Sequence, residues 1–358
     1  MKHKLISAML CMTLATSCVD MDIAPKNIVT SESLLSNESG MDIYMARLYS
    51  YMPWEDFKYL SQWGFNFSGW LNAIGIDGTG EAMNRDGICT AFTGEDYAYW
   101  STDGSKGSPF MLLRDANYLI ENLPKYQGSY AEITYNHYLG EAYYVRATVF
   151  YAMARRFGGI PLVTKVIQYP GDGNLEVPRA SEEETWNQVL ADYDKAIELM
   201  MPNSPKSGYS NKYVALAFKS EAMLYAGSVA KYNETVTGRL TGLGAKTGVR
   251  VIGFDENRWQ EASKKYFTEA YKAASEVIKS GVYSLYKKKW AANDPEAQYQ
   301  NMVDMFSDLS NNPENIYVKE YTYPTSTHAY DSYNLPLTFK APLNCGVCPT
   351  ADFVELFD

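Results

Sequence analysis

The chain has 358 residues, 46% of them hydrophobic, with 32 Lys and Arg against 42 Asp and Glu for a formal net charge of −10. That is enough apolar material for one large domain or two intertwined ones, and the acidic balance, with no basic stripe, excludes nucleic acid as a partner. Tyrosine is the outlier at 30 residues, beside 7 Trp and 14 Phe, and such rings offer an apolar face with a polar edge that suits a sugar as well as a core.

Residues 1–17 have the three parts of a secretory signal peptide: basic Lys2 and Lys4, an apolar stretch from Leu5 to Ala15, and small Thr16 and Ser17. The apolar run is shorter than the roughly 20 residues that span a bilayer. Cys18 follows at once, and this arrangement resembles a bacterial lipobox, which implies lipidation of Cys18 and cleavage before it. Several acyl chains on one residue anchor a domain far better than one chain does. The alternative is an ordinary signal peptide with an incidental cysteine. Asp20, Asp22 and Pro25 make a poor helix start, so 18–30 reads as a tether. The acidic pair also resembles the surface-export signals of some Gram-negative lipoproteins.

Next comes a helical region over 31–52, with start signals from Asn37 to Gly40 and Ile43, Ala46, Leu48 and Tyr49 at helical spacing. Residues 53–108 are rich in Gly, Asp, Trp and Tyr and read as long, aromatic-rich loops. The helical pattern resumes at 110 and is ended by Pro124. A long helix over 135–157 is stopped by Gly158-Gly159, and Pro161 blocks its resumption. Ser181 starts the next helix with Glu184 three residues on, a capping-box spacing, and Pro202 ends it. Two more helices are predicted over 211–232 and 258–281. "ADYDKAIELM" at 191–200 and "EAYKAASEVI" at 269–278 share a rhythm of Ala, Tyr and aliphatic residues. Paired helices with this rhythm resemble tetratricopeptide repeats, here degenerate because loops at 158–180 and 233–257 interrupt the period. Generic helical packing is the competing account.

The chemistry-bearing residue types are sparse. Cys345 and Cys348 form a C-x-x-C, but a zinc site needs two further ligands and a redox site wants a strand-to-helix context. The pair closes as a small disulfide or stays as two thiols, and no functional role is expected of it. With three histidines, His3, His137 and His328, a metal site or a His-based triad is poorly supplied, and His137, at a helix start, reads as structural. No metal or cofactor is expected. A glycosidase needs two carboxylates about 5–10 Å apart across the scissile bond. Glu81, Asp86, Glu95 and Asp96 lie in the aromatic loops, yet their spacing selects no pair.

Several ordered motifs then agree. "LGEAYYVRATVFYAMARRFGGIPLVTKV" (139–166) carries Glu141-Ala142, Arg146-Ala147, Phe150-Tyr151 and Gly158-Gly159-Ile160-Pro161-Leu162. "VPRASEEETWNQVLADYDKAIELMP" (177–202), "KYVALAFKSEAMLYAG" (212–227), "NPENIYVKEY" (312–321) and "CPTADFVELFD" (348–358) follow in order. With "SCVDMDIAP" near the start, the chain resembles SusD/RagB-type lipoproteins, the glycan-binding partners of TonB-dependent outer-membrane transporters in Bacteroidetes. The resemblance implies a mainly α, SusD-like domain over 31–358, with tetratricopeptide-type helix pairs at about 110–281. Family members continue past the motif in which this sequence stops, so a C-terminal subdomain beginning near 282 is expected to be incomplete.

The same resemblance implies a non-enzymatic function: capture of an oligosaccharide at the mouth of a SusC-like transporter. In this family the long loops shape the site. The candidates here are Trp70, Asp77, Tyr97, Tyr99 and Trp100 from the first loop region, Trp290 after the fourth helix, and Tyr330 and Tyr333. A protein-interaction adaptor built on the helix pairs and a surface glycoside hydrolase are the rival readings. The leader generates its own test. Cys18→Ala is expected to leave the exported protein soluble in the periplasm, read by membrane fractionation; retention in the membrane pellet refutes lipid anchoring.

Overall fold

Asn37 interrupts the predicted 31–52 helix. Its backbone is extended, with φ −154° and ψ 158°, and its side chain accepts the Gly40 N–H at 2.9 Å. The region therefore forms two helices, α1 (Ser31–Leu35) and α2 (Glu38–Ser50), with Asn37 capping the second. This computed structural model describes residues 31–53, 82–84, 109–168, 171, 176–204, 206–235, 242–255, 257–308, 312–322, 338 and 347–357. The expected leader and tether, and most of the 53–108 loop region, lie outside the described residues.

The fold is mainly α. α3 (Pro109–Asn122) runs into a 3-10 turn at Leu123–Ser129 with Pro124 in its first turn, where the missing N–H costs nothing. α4 (Glu132–Phe157) is the long central helix, with seventeen of its residues buried. α5 (Glu182–Leu199) opens with the predicted capping box: Ser181 Oγ accepts the Glu184 N–H at 3.1 Å, and the Glu184 carboxylate accepts the Ser181 N–H at 2.8 Å. α6 (Lys212–Thr235) and α7 (Trp259–Ser280) follow, with a small antiparallel ribbon, β2 (Gly242–Leu243) and β3 (Arg250–Ile252), between them. α8 (Pro295–Ser307) comes next. A second antiparallel ribbon joins β1 (Ala82–Asn84) to β4 (Val347–Pro349), with Met83 opposite Cys348, and the short helix α9 (Ala351–Val354) and a 3-10 turn at Glu355–Phe357 follow.

α4 packs on α5, and α6 on α7. Both pairs run antiparallel, because partner numbers fall along one helix as they rise along the other. Arg146 meets Asp192 while Tyr151 meets Trp186. Lys212 meets Glu276, Ser220 meets the Ala270 carbonyl, and Ser263 meets the Gly227 carbonyl. Small residues set the second contact, since a Cβ on Gly227 would lie 2.8 Å from the Phe267 ring. The shared rhythm of 191–200 and 269–278 does not become a shared face. Tyr193 is fully buried, whereas its counterpart Tyr271 is 74% exposed. In α7 it is Ala270 and Ala273 that meet α6, and the tyrosine beside them turns to solvent.

The Gly158-Gly159 stop is a packing requirement. Gly158 sits at φ +70°, and a Cβ on Gly159 would fall 2.1 Å from the Ala180 carbonyl. In the space the missing side chains leave, Gly159 N–H donates to Val251 O at 2.7 Å, and Ala180 N–H donates to Ile160 O at 2.9 Å. Arg179 closes the end of α4, its Nε donating to Gly159 O at 2.7 Å and its Nη2 to Phe157 O at 2.5 Å.

A buried ion pair ties three helices together. Arg146 of α4 donates from Nε and Nη2 to the two carboxylate oxygens of Asp192 in α5, at 2.8 and 2.6 Å. Its Nη1 donates to Asn117 Oδ1 of α3 at 2.9 Å and to Thr164 O at 3.1 Å. Asn117 Nδ2 in turn donates to Val163 O at 2.8 Å. Breaking such a pair leaves a charge stranded in the interior, which costs roughly 3–5 kcal/mol. Asp192→Asn is expected to lower unfolding stability by about that amount in urea titration, whereas Glu198→Gln at the exposed Lys195 pair moves it by less than about 1 kcal/mol. Equal effects refute the role given to Arg146.

Candidate functional site

The connection after α5 turns at Gly208, φ +78°, and is recaptured at Asn211, whose Oδ1 accepts the N–H groups of Tyr213 and Val214 at 2.9 and 3.0 Å. This connection forms one wall of a cleft of about 810 Å³. The segment 315–322, from farther along the chain, also lines it, as does Tyr283, just beyond α7. Ser207 Oγ donates to Glu320 Oε1 at 2.6 Å, and Tyr317 Oη donates to Gly208 O at 3.3 Å, so the two segments are stitched together. At the base, Ser284 N–H donates to Pro313 O at 3.2 Å and Tyr286 N–H to Glu314 Oε1 at 2.6 Å.

Four tyrosines line the cleft: Tyr209, Tyr283, Tyr317 and Tyr321. Three are held edge-on by aromatic neighbours. Tyr209 meets Tyr49 at 4.7 Å, Tyr283 meets Tyr213 at 5.8 Å, and Tyr317 meets Phe218 at 6.3 Å between centroids. Burial raises all four phenol pKa values, so the hydroxyls stay protonated as donors. Asn203, Asn211 and Asn315 add amides. Lys319 lies with its Nζ 5.4 Å from the Tyr321 ring centre, and burial lowers its pKa to about 8. Fixed rings with hydroxyls and amides between them suit a polyhydroxylated ligand. Glu320 is the single carboxylate among the described lining residues.

Beneath this cleft lies a polar cluster in the core. Tyr49 of α2 donates to Glu141 Oε1 at 2.7 Å and accepts the Ser210 N–H at 2.9 Å. His137 Nδ1 accepts the Met201 N–H at 3.1 Å, so the neutral ring carries its hydrogen on Nε2, facing Glu141 Oε2 at 3.7 Å. Burial pushes the Glu141 carboxyl up to about 8 and the His137 imidazole down to about 4.

Of the candidates read from sequence, Trp290 is described. It is 44% exposed, carries Lys287 Nζ 5.1 Å from its ring centre, and does not line the cleft. Cys18, Trp70, Asp77, Tyr97, Tyr99, Trp100, Tyr330 and Tyr333 lie outside the described residues. So do Glu81, Asp86, Glu95, Asp96 and Cys345; Cys348 is half-buried on β4. Among the described residues no cluster of three or more His, Cys, Asp or Glu could hold a metal, and no helix is long and apolar enough to cross a membrane. The sequence reading missed the four cleft tyrosines. One signal was present: Tyr317, Lys319 and Tyr321 recur two apart, the spacing of one side of an extended segment.

Residues 20–224 match the model of a SusD-like family described as starch-binding and associating with the outer membrane. A SusD-like protein of Formosa agariphila is 33% identical over 130 residues, covering 36% of this chain and 24% of its own length. A second SusD-like protein of that organism is 23% identical over 243 residues, covering 65% of this chain and 45% of its own. The crystal structure of a SusD-like carbohydrate binding protein of Bacteroides fragilis superposes with a TM-score of 0.58 at 17% identity, over 90% of this chain and 53% of that one. This chain thus spans about half or less of the length of these relatives.

The buried cluster fixes a pH dependence. The folded chain keeps a proton on Glu141 that the unfolded chain releases above 4.5, so this contribution is complete at low pH and is lost as pH rises through about 8. His137 acts oppositely: its contribution is complete above 6.5 and is lost as pH falls through about 4. Above 6.5 only the Glu141 effect remains. Wild type is therefore expected to lose about 2 kcal/mol relative to Glu141→Gln between pH 6.5 and 8 in urea unfolding, from the ~1.4 kcal/mol per pH unit that one proton carries. Parallel profiles refute the assignment.

Proposed function

The chain belongs to the SusD-like family, and we propose that it binds oligosaccharide without cleaving it, as the capture component of an outer-membrane uptake system. The observation that carries this reading is the tyrosine-lined cleft: ring faces for pyranose C–H groups, with protonated hydroxyls and amides beside them for sugar hydroxyls. Trp70, Asp77, Tyr97, Tyr99, Trp100, Trp290, Tyr330 and Tyr333 remain proposed contacts that extend the site from the loops. Lipidation at Cys18 anchors the domain to the outer membrane, facing the cell surface, and a SusC-like TonB-dependent transporter takes the captured glycan onward.

A protein-docking role draws on a separate feature. α8 exposes Tyr299, Met302, Val303 and Phe306 to solvent, while Ala297, Gln298, Gln300, Asn301, Asp304 and Met305 are wholly or partly buried. Four large apolar side chains on one solvent-facing helix favour a protein partner on that face. These residues do not overlap the cleft, so the two roles coexist.

Titration calorimetry of the full chain with maltoheptaose, followed by a reducing-end assay, tests the sugar reading. Binding without release of new reducing ends is expected. Tyr321→Ala and Trp100→Ala are each expected to weaken binding about tenfold, the ~1.4 kcal/mol of one aromatic contact, with the melting temperature nearly unchanged. Released reducing ends favour the hydrolase, and wild-type affinity in both variants refutes the aromatic site.

A further inference from the structure

The wall of the cleft is held at both ends from inside the protein. The connection between α5 and α6 supplies Asn203, Lys206, Tyr209 and Asn211 to the lining. At its start, the Met201 N–H donates to buried His137; at its end, the Ser210 N–H donates to Tyr49, which donates in turn to buried Glu141. His137 and Glu141 are both 1% exposed and stand one turn apart on α4. The Tyr49 ring also backs Tyr209, the lining residue next to Ser210. Two backbone amides of a surface connection are thus received by side chains that belong to the core, which is costly burial if it serves nothing.

We propose that Tyr49, His137 and Glu141 are positioning residues that set the shape of the cleft by fixing the connection between α5 and α6. The proposal rests on the cleft being the sugar site, and it deepens that reading by coupling the site to protonation. Around the Glu141 carboxyl stand Tyr49, Asp42 and Tyr138, with Lys206 and Tyr209 of the connection and Tyr317 of the segment 315–322. Lys206 is ion-paired to Asp42 of α2 and lines the cleft. A carboxylate formed at Glu141 gains no positive charge from His137, which stays neutral above about pH 4, so the cation that faces it is Lys206. That carboxylate draws Lys206 away from Asp42 and deforms the wall. The neutral carboxyl is therefore the binding-competent form.

Two measurements on the full chain decide this. Hydrogen exchange needs no ligand: Tyr49→Phe keeps the ring against Tyr209 and deletes the hydroxyl. The amides of the α5–α6 connection are expected to exchange about tenfold faster, with α3, α4 and α5 unchanged. No change, or acceleration throughout the protein, overturns the proposal. The second measurement is maltoheptaose affinity from pH 7 to 9 for wild type and Glu141→Gln. Wild-type affinity is expected to fall several-fold, and that of Glu141→Gln to fall less. Lys319 titrates in the same range but is common to both proteins, so only the difference between the profiles is read, and identical profiles overturn the coupling. If wild type binds no oligosaccharide at any pH, the sugar reading fails, while hydrogen exchange still decides the positioning.

Discussion

Arg146 spends its guanidinium on three elements at once: the Asp192 carboxylate in α5, the Asn117 amide in α3, and the Thr164 carbonyl in the chain between α4 and α5. Every donor direction it uses is specified by a partner with its own fixed place, so α3, α4 and α5 have one mutual arrangement. Burial raises the Asp192 carboxyl pKa even against its hydrogen bonds from Arg146. The pair is therefore weak as a source of net stability and strong as a constraint, because any slip of α5 along α4 would strand a charge.

That constraint propagates to the cleft. α5 can leave the bundle only where α4 lets it, and its last residue, Leu199, delivers the connection beside His137 and Glu141. Gly158 and Gly159 act at the other end of the same helix pair, letting the backbone pass close to Ala180 and Val251 where a side chain has no room. Rigid helices thus carry a short surface connection that brings Tyr209, Asn203 and Asn211 to the cleft.

Beneath the cleft the interior is deliberately polar. Tyr49, Glu141 and His137 satisfy two amides of the connection, and an apolar core would leave those N–H groups without acceptors. The arrangement tolerates burial by keeping its ionisable groups neutral, Glu141 with its proton and His137 without one. Helical scaffold and cleft wall therefore share a titratable link.

The sequence by itself determined the elements and the family. Asn37, the Ser181–Glu184 capping box, Pro124 and Gly158-Gly159 act within a few residues, so their signals were legible and the helix ends fall within a few residues of where they point. It did not determine which faces meet: the matched rhythms at Tyr193 and Tyr271 end up inside and outside, because burial depends on which helix packs alongside. The cleft was beyond it for the same reason. Tyr209, Tyr283 and Tyr317 are far apart along the chain, and only the packing of α4 through α7 brings them to one opening. Local chemistry is written in neighbouring residues; convergence of distant ones is decided by tertiary packing alone.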